Sequence, residues 1–310
     1  NTFTYLTNWI KMTSKFFYPL IVLICLPLIL PAQRKNKKFE ALYGREDYRK
    51  DIRLSNASNI NTEGMEFSPV LYGNGIVYVS RRKNGPIDEN TGQTFYELFY
   101  AESDPNGQPL KGQNFSVEIN SHLHEGPVSF NRQGNEIFFT RSNQRLGLSK
   151  ADKKGRVRLK IYKASKGYFD WENIEELPFN DNSFSCLHPA LSADGKRLFF
   201  ASDKPGGFGG MDIYFVERTS RGWSAPINLG PEINTPKNEV FPFSHESGTL
   251  FFASDGHEGL GGLDLFMIDL SDRKWGRVIN LGLPFYSEKD DLGLVLRSDG
   301  TRGYFTSNRE

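Results

Sequence analysis

The stretch "SDKPGGFGGMDIY" at 202–214 returns as "SDGHEGLGGLDLF" at 254–266, and its flanks return with it. "HPALSADGKRLFFASD" (188–203) lines up with "PFSHESGTLFFASD" (242–255), and "GWSAPINLG" (222–230) with "KWGRVINLG" (274–282). The offset stays at 52 from Phe200 to Gly230, so a whole supersecondary unit repeats rather than one loop. Looser copies stand upstream. One is "GPVSFNRQGNEIFFTRS" (126–142) with "LKIYKA" (159–164) and Trp171; another is "SPVLYGNGIVYVSRR" (68–82) with "ELFYA" (97–101). A last copy begins "LGLVLRSDGTRGYFTSNRE" at 292, making four repeats and the start of a fifth.

Within a unit, short apolar runs alternate with turns: "PALS", the turn "ADGK", "RLFFAS", the Gly-rich loop, "DIYFVE" and "WSAPINLG". Aromatic and β-branched runs joined by an Asp-Gly turn read as successive antiparallel hairpins. Four strands per unit of roughly 50–60 residues exceed the roughly 20–45 of most solenoid repeats. The expected fold is therefore all-β, a β-propeller of four-stranded antiparallel blades. Its ring needs closing, and "INTEGMEFSP" (60–69) matches "INTPKNEVFP" (233–242) at a constant offset of 173. Since the second copy leads from one blade to the next, residues 51–63, containing "DIRLSNASNI", are expected to give the last blade its outer strand.

The N-terminus reads as an address. After 11 upstream residues, Met12 opens a short basic region with Lys15, then "FFYPLIVLICLPLILPA", then "QRKNKK". This order predicts a signal peptide over 12–32, interrupted by prolines and too short for the roughly 20 residues of a spanning helix. The expectation is export with no transmembrane span after cleavage. Cys25 raises lipid attachment only weakly, because Ile24 stands where a small residue is needed. Beyond it only Cys186 remains, expected to be a small buried apolar residue. Residues 33–50 form a basic linker. The 38 Lys+Arg against 37 Asp+Glu leave a net charge of +1, which argues against nucleic acid as partner.

The repeats, with "HEGPVSFNRQGNEIFFTRSN", "HPALSADGKRLFFASD" and "GYFTSNRE", resemble the WD40-like repeats of Tol-B type propellers, and more narrowly those of OmpA-family envelope proteins of the Bacteroidota. The resemblance covers residues 57–310, within the propeller region 64–310. It implies a periplasmic or outer-membrane scaffold in a peptidoglycan-associated complex, with secretion machinery a further possible connection. No peptidoglycan-binding residues are carried over.

Chemistry is sparsely signalled. The Gly-rich loops lead into strands rather than a helix, so they are not phosphate cradles. Asp203, Asp212, Asp255 and Asp264 are weak calcium candidates, but two acids per loop are few for a tight site and Asn308 replaces the first Asp in the fifth repeat. Bracing of the turn fits them better. No H-E-x-x-H or G-x-S-x-G occurs, and no cofactor is implied. One positional argument points to binding: Glu66, His124, Glu125, His188 and Glu239 precede the repeat prolines at 69, 127, 189 and 242, where they are expected to ring one mouth of the channel. The reading is a non-enzymatic exported scaffold; the alternatives are a propeller hydrolase and a glycan-binding module acting on envelope or extracellular polymers.

Overall fold

The computed structural model describes residues 20–25, 52–81, 84–88, 92–145, 148–149, 151, 155–270 and 275–309. Four blades each come from one continuous stretch of chain. Blade 1 runs from the channel outward as Phe67–Tyr72, Gly75–Arg81, Tyr96–Glu102 and Gln113–Asn114. Blade 2 is Glu125–Phe130, Glu136–Ser142, Leu159–Lys166 and Trp171–Glu176. In blade 3, Cys186–Leu191, Arg197–Ser202 and Asp212–Thr219 are followed by Ile227–Asn228. Blade 4 repeats this as Glu239–Ser244, Thr249–Ser254, Asp264–Asp269 and Ile279–Asn280. Every neighbouring pair is antiparallel.

A fifth four-stranded sheet joins the two ends of the chain. Asp291–Leu296 and Arg302–Ser307 are its inner pair, Leu20–Cys25 its third strand and Arg53–Asn56 its outermost. The apolar run read as a leader thus supplies a strand. Arg302–Ser307 offers a free backbone edge, and "LIVLIC" is rich in the β-branched residues that suit such a slot. The rest of the expected leader and the basic linker lie outside the described residues. Blade 5 packs against both blade 4 and blade 1, which closes the ring.

The second strands explain the core. Their paired aromatics point to opposite faces, as period-2 alternation requires, and each face meets a different neighbour. Phe139 joins the core between blades 1 and 2, and Phe138 the one between blades 2 and 3. Phe200 and Phe199 likewise divide between the two sides of blade 3, and Phe252 and Phe251 between those of blade 4. Around the ring closure, Ala57 and Ile60 pack with Ile76, Tyr78, Val295 and Tyr304.

Candidate functional site

All five inner strands carry the same irregularity. Two residues of the inner strand oppose one of the second strand: Ser68 and Pro69 face Tyr78 between the pairs Phe67–Val79 and Val70–Val77, Gly126 and Pro127 face Thr140 between Glu125–Arg141 and Val128–Phe139, and blades 3, 4 and 5 do the same. Such a bulge re-aims the extra residue. At it stand Ser68 (φ 52°), His188 (φ 56°), Phe241 (φ 51°) and Gly293 (φ 61°). For the three with a side chain this left-handed geometry costs on the order of 1–2 kcal/mol each. At Gly293 a side chain would be strained by the positive φ and crowded as well, its Cβ lying 3.0 Å from the Ser68 Cα.

At the entrance ends of the inner strands, an acid is tied to the hydroxyl residue four positions earlier. Glu66 accepts from the Thr62 amide (2.9 Å), Thr62 Oγ1 (2.8 Å) and Ser80 Oγ (2.7 Å). Glu239 accepts from the Thr235 amide, Thr235 Oγ1 and Ser254 Oγ, all at 2.7 Å. Ser287 Oγ donates to Asp291 (2.9 Å), which also accepts from Arg309 (2.6 Å). Glu125 accepts from Ser121 Oγ (2.6 Å) and Arg141 Nε (3.0 Å) and is fully buried. Burial pushes its carboxyl up to about 7, against the opposing pull of Arg141 and Ser121. Burial raises the Glu239 and Asp291 carboxyls as well. In blade 3 the corresponding strand begins with the buried Cys186, its thiol pushed up to about 12 by burial.

Between these braces lies a cavity of about 420 Å3, walled largely by apolar groups such as Met65, Leu159, Met211 and Leu263. His124, Glu125 and His188 line it, whereas Glu66 and Glu239 stand behind its wall, wholly buried on their own loops. Thr62 and Thr235 hold these two acids into their own loops, as Ser121 holds Glu125, which nevertheless borders the cavity. A run of rings edges the opening: Phe95–His124 (5.0 Å), His124–Tyr96 (5.5 Å), Tyr96–Phe67 (5.3 Å) and Phe67–Phe241 (6.3 Å). Phe241 stacks on His188 at 3.8 Å. His188, Phe241 and Pro127 also line a second cavity of about 290 Å3 on the exit side, so they form the waist of the channel.

Both histidines are held. His188 Nδ1 accepts from the Phe241 amide (3.2 Å), which puts the proton on Nε2, and burial lowers its pKa to about 3. It is a neutral donor. His124 Nδ1 accepts from the Tyr96 amide and its Nε2 lies 3.2 Å from Asp88 Oδ2. Sequence reasoning missed the cavity's Phe67, Phe241, Arg156 and Arg158. Phe241 had a signal, since it precedes the repeat proline as His188 does; Arg156 and Arg158 had none.

The Gly-rich loops stitch blades together. The first Asp of the frame caps the residue ahead of an inner strand: Ser185 N donates to Asp203 Oδ1 (2.6 Å), and Asn238 N to Asp255 Oδ1 (2.9 Å). Asp290 N donates to Asn308 Oδ1 (2.7 Å), a contact that Asn serves as well as Asp. Asp203 also pairs with Arg158 at 2.7 Å. The second Asp folds the loop: Asp212 accepts from the Phe208 and Gly209 amides, and Asp264 from Gly261. Across the joint, Gly210 N donates to Lys237 O, and a Cβ on Gly209 or Gly261 would strike the carbonyl of Lys237 or Lys289. Among the described residues no three His, Cys, Asp or Glu side chains converge as a metal site.

No family model and no curated protein matches the chain. Solved structures similar to it include the "putative TolB" of Agrobacterium tumefaciens (12% identity, 96% of this chain and 100% of that one, TM-score 0.45). TolB from Acinetobacter baumannii is 11% identical over 94% of this chain and 64% of that one, with a TM-score of 0.44. A thermostable family-43 glycoside hydrolase is 12% identical over 78% and 83%, with a TM-score of 0.45.

Proposed function

We propose that this chain is a non-enzymatic, exported propeller that docks a partner protein at the entrance of its channel. The observation that carries this is the division of labour at the mouth. The acids Glu66, Glu125 and Glu239 are engaged by their own loops, while the cavity between them is preformed and walled mainly by apolar groups. Such a wall favours an apolar side chain of an extended segment, and its rigidity keeps the ordering cost low. The repeat phrases, similar to those of Tol-B type propellers, support a periplasmic or outer-membrane setting. They also support membership of an OmpA-like, peptidoglycan-associated assembly, with secretion machinery among the partners.

Photocrosslinking tests this in cells. A benzophenone amino acid replacing Leu159, inside the cavity, is expected to give a discrete adduct with an envelope protein, and the same probe at Phe208, on an outer loop, none. Equal adducts from both positions, or none from Leu159, would refute docking at the mouth.

A second reading has one observation in its favour. Glu125 lines the cavity with a carboxyl raised to about 7, the value a general acid needs. It predicts that the chain cleaves chromogenic glycosides or peptides and that Glu125→Gln abolishes the cleavage.

A further inference from the structure

On the outer rim, away from the channel, the hairpin joining Leu159–Lys166 to Trp171–Glu176 carries Tyr168 and Phe169 at its tip, 91% and 95% exposed. Their rings meet edge to face at 4.7 Å. Two large rings in water are costly to leave uncovered on a rigid turn. The turn is rigid because Asp170 accepts from the Val117 and Glu118 amides of blade 1 (2.9 and 3.2 Å) and from its neighbour Trp171 (2.8 Å). Val117, itself 75% exposed, therefore extends the apolar tip. Behind the tip lies a cavity of about 210 Å3, below the roughly 300–1,000 Å3 of a drug-sized pocket. Tyr72, Tyr100, Phe115 and Trp171 line it, beside the exposed amides of Gln113 and Asn114.

Charge is sparse at this site. Lys166, whose Nζ donates to the neutral Tyr72 Oη at 2.9 Å and lies over that ring, is the one cation among the described residues lining the cavity, and Asp170 is turned onto backbone amides. A single cation is little for an anionic lipid surface or a charged peptide, whose binding draws on several. What remains is aromatic faces beside groups that both donate and accept, which matches a sugar ring: C–H faces for the aromatics, hydroxyls for the amides. We propose that the rim between blades 1 and 2 is a binding site for a neutral glycan, stacked on Tyr168 and Phe169 and hydrogen-bonded by Gln113 and Asn114.

Isothermal titration of the chain with cellohexaose, xylohexaose, mannohexaose and chitohexaose tests it. At least one is expected to bind saturably with a Kd near ~1 mM, the range open to a few stacking and hydrogen-bonding contacts. Tyr168→Ala and Phe169→Ala should each weaken binding about tenfold with unchanged melting temperature. Phe169→Leu keeps apolar area but loses the ring, and should weaken binding comparably. Phe208→Ala, another exposed ring on a distant loop, should leave it unchanged. The proposal is overturned if no hexasaccharide binds, or if Phe169→Leu binds as tightly as wild type. It is also overturned if the tip instead pairs two copies, with dimers that become monomers in the Tyr168→Ala/Phe169→Ala variant and no response to sugar.

Discussion

Replacing Glu125 by Gln should remove a specific part of the pH dependence of stability. The carboxyl is fully buried, and burial raises its folded pKa to about 7 from an ordinary 4.5. Between those values the folded chain binds more proton than the unfolded one, so stability falls as pH rises. The contribution is fully present below pH 4.5 and lost once pH passes 7. A shift of about 2.5 units corresponds to at most about 3 kcal/mol, or roughly 6–12 °C in melting temperature for a domain of this size. Urea titrations from pH 5 to pH 8 on wild type and E125Q read the effect directly. The wild type should lose about 2.5 kcal/mol more than E125Q across that window. Glu239, Asp264 and Asp291 are also raised by burial, but they remain in both proteins and cancel. Arg141 stays charged throughout the window. Parallel stability curves for the two proteins would refute the reasoning.

Other expectations follow from the same geometry. Thr235→Val removes one of the three hydrogen bonds to Glu239, its hydroxyl contact at 2.7 Å, and should cost about 1–3 kcal/mol in urea denaturation. Gly261→Ala brings a Cβ to 1.9 Å from Lys289 O; the forced separation of blades 4 and 5 should cost about 1–3 kcal/mol, read as a lower urea midpoint. In a Cys25→Ser background, Cys186, buried with its thiol raised to about 12, should resist Ellman's reagent at pH 8 until the chain unfolds. Phe241→Ala, which removes the ring stacked on His188 at 3.8 Å, should destabilise by about 3–5 kcal/mol and join the two channel cavities.

The blade architecture was legible because its signal is repeated. Ser202 and Ser254, the FF pairs and the Gly-rich loops occupy equivalent places, and a chain that writes one strand order several times states its fold redundantly. The channel wall was less legible. A residue before proline is expected to be extended, yet Ser68, His188 and Phe241, each followed by proline, adopt positive φ at a bulge. Only the register with the second strand shows that. The fate of Glu66 and Glu239 was hidden for a similar reason: their partners Thr62 and Thr235 lie four residues away in loops, with no period to announce them. Tyr168 and Phe169 fall in a turn that the other repeats do not share.

The division of neighbouring phenylalanines between opposite faces has a thermodynamic corollary. Each second strand is a party wall: Phe251 and Phe252 insulate different rooms but hang on adjacent carbons of one backbone. Disturbing either room tilts the wall for both, and the circle has no last room where the disturbance can stop. Hydrogen-exchange protection should therefore be nearly level from blade to blade, unlike a linear repeat array that frays from its ends.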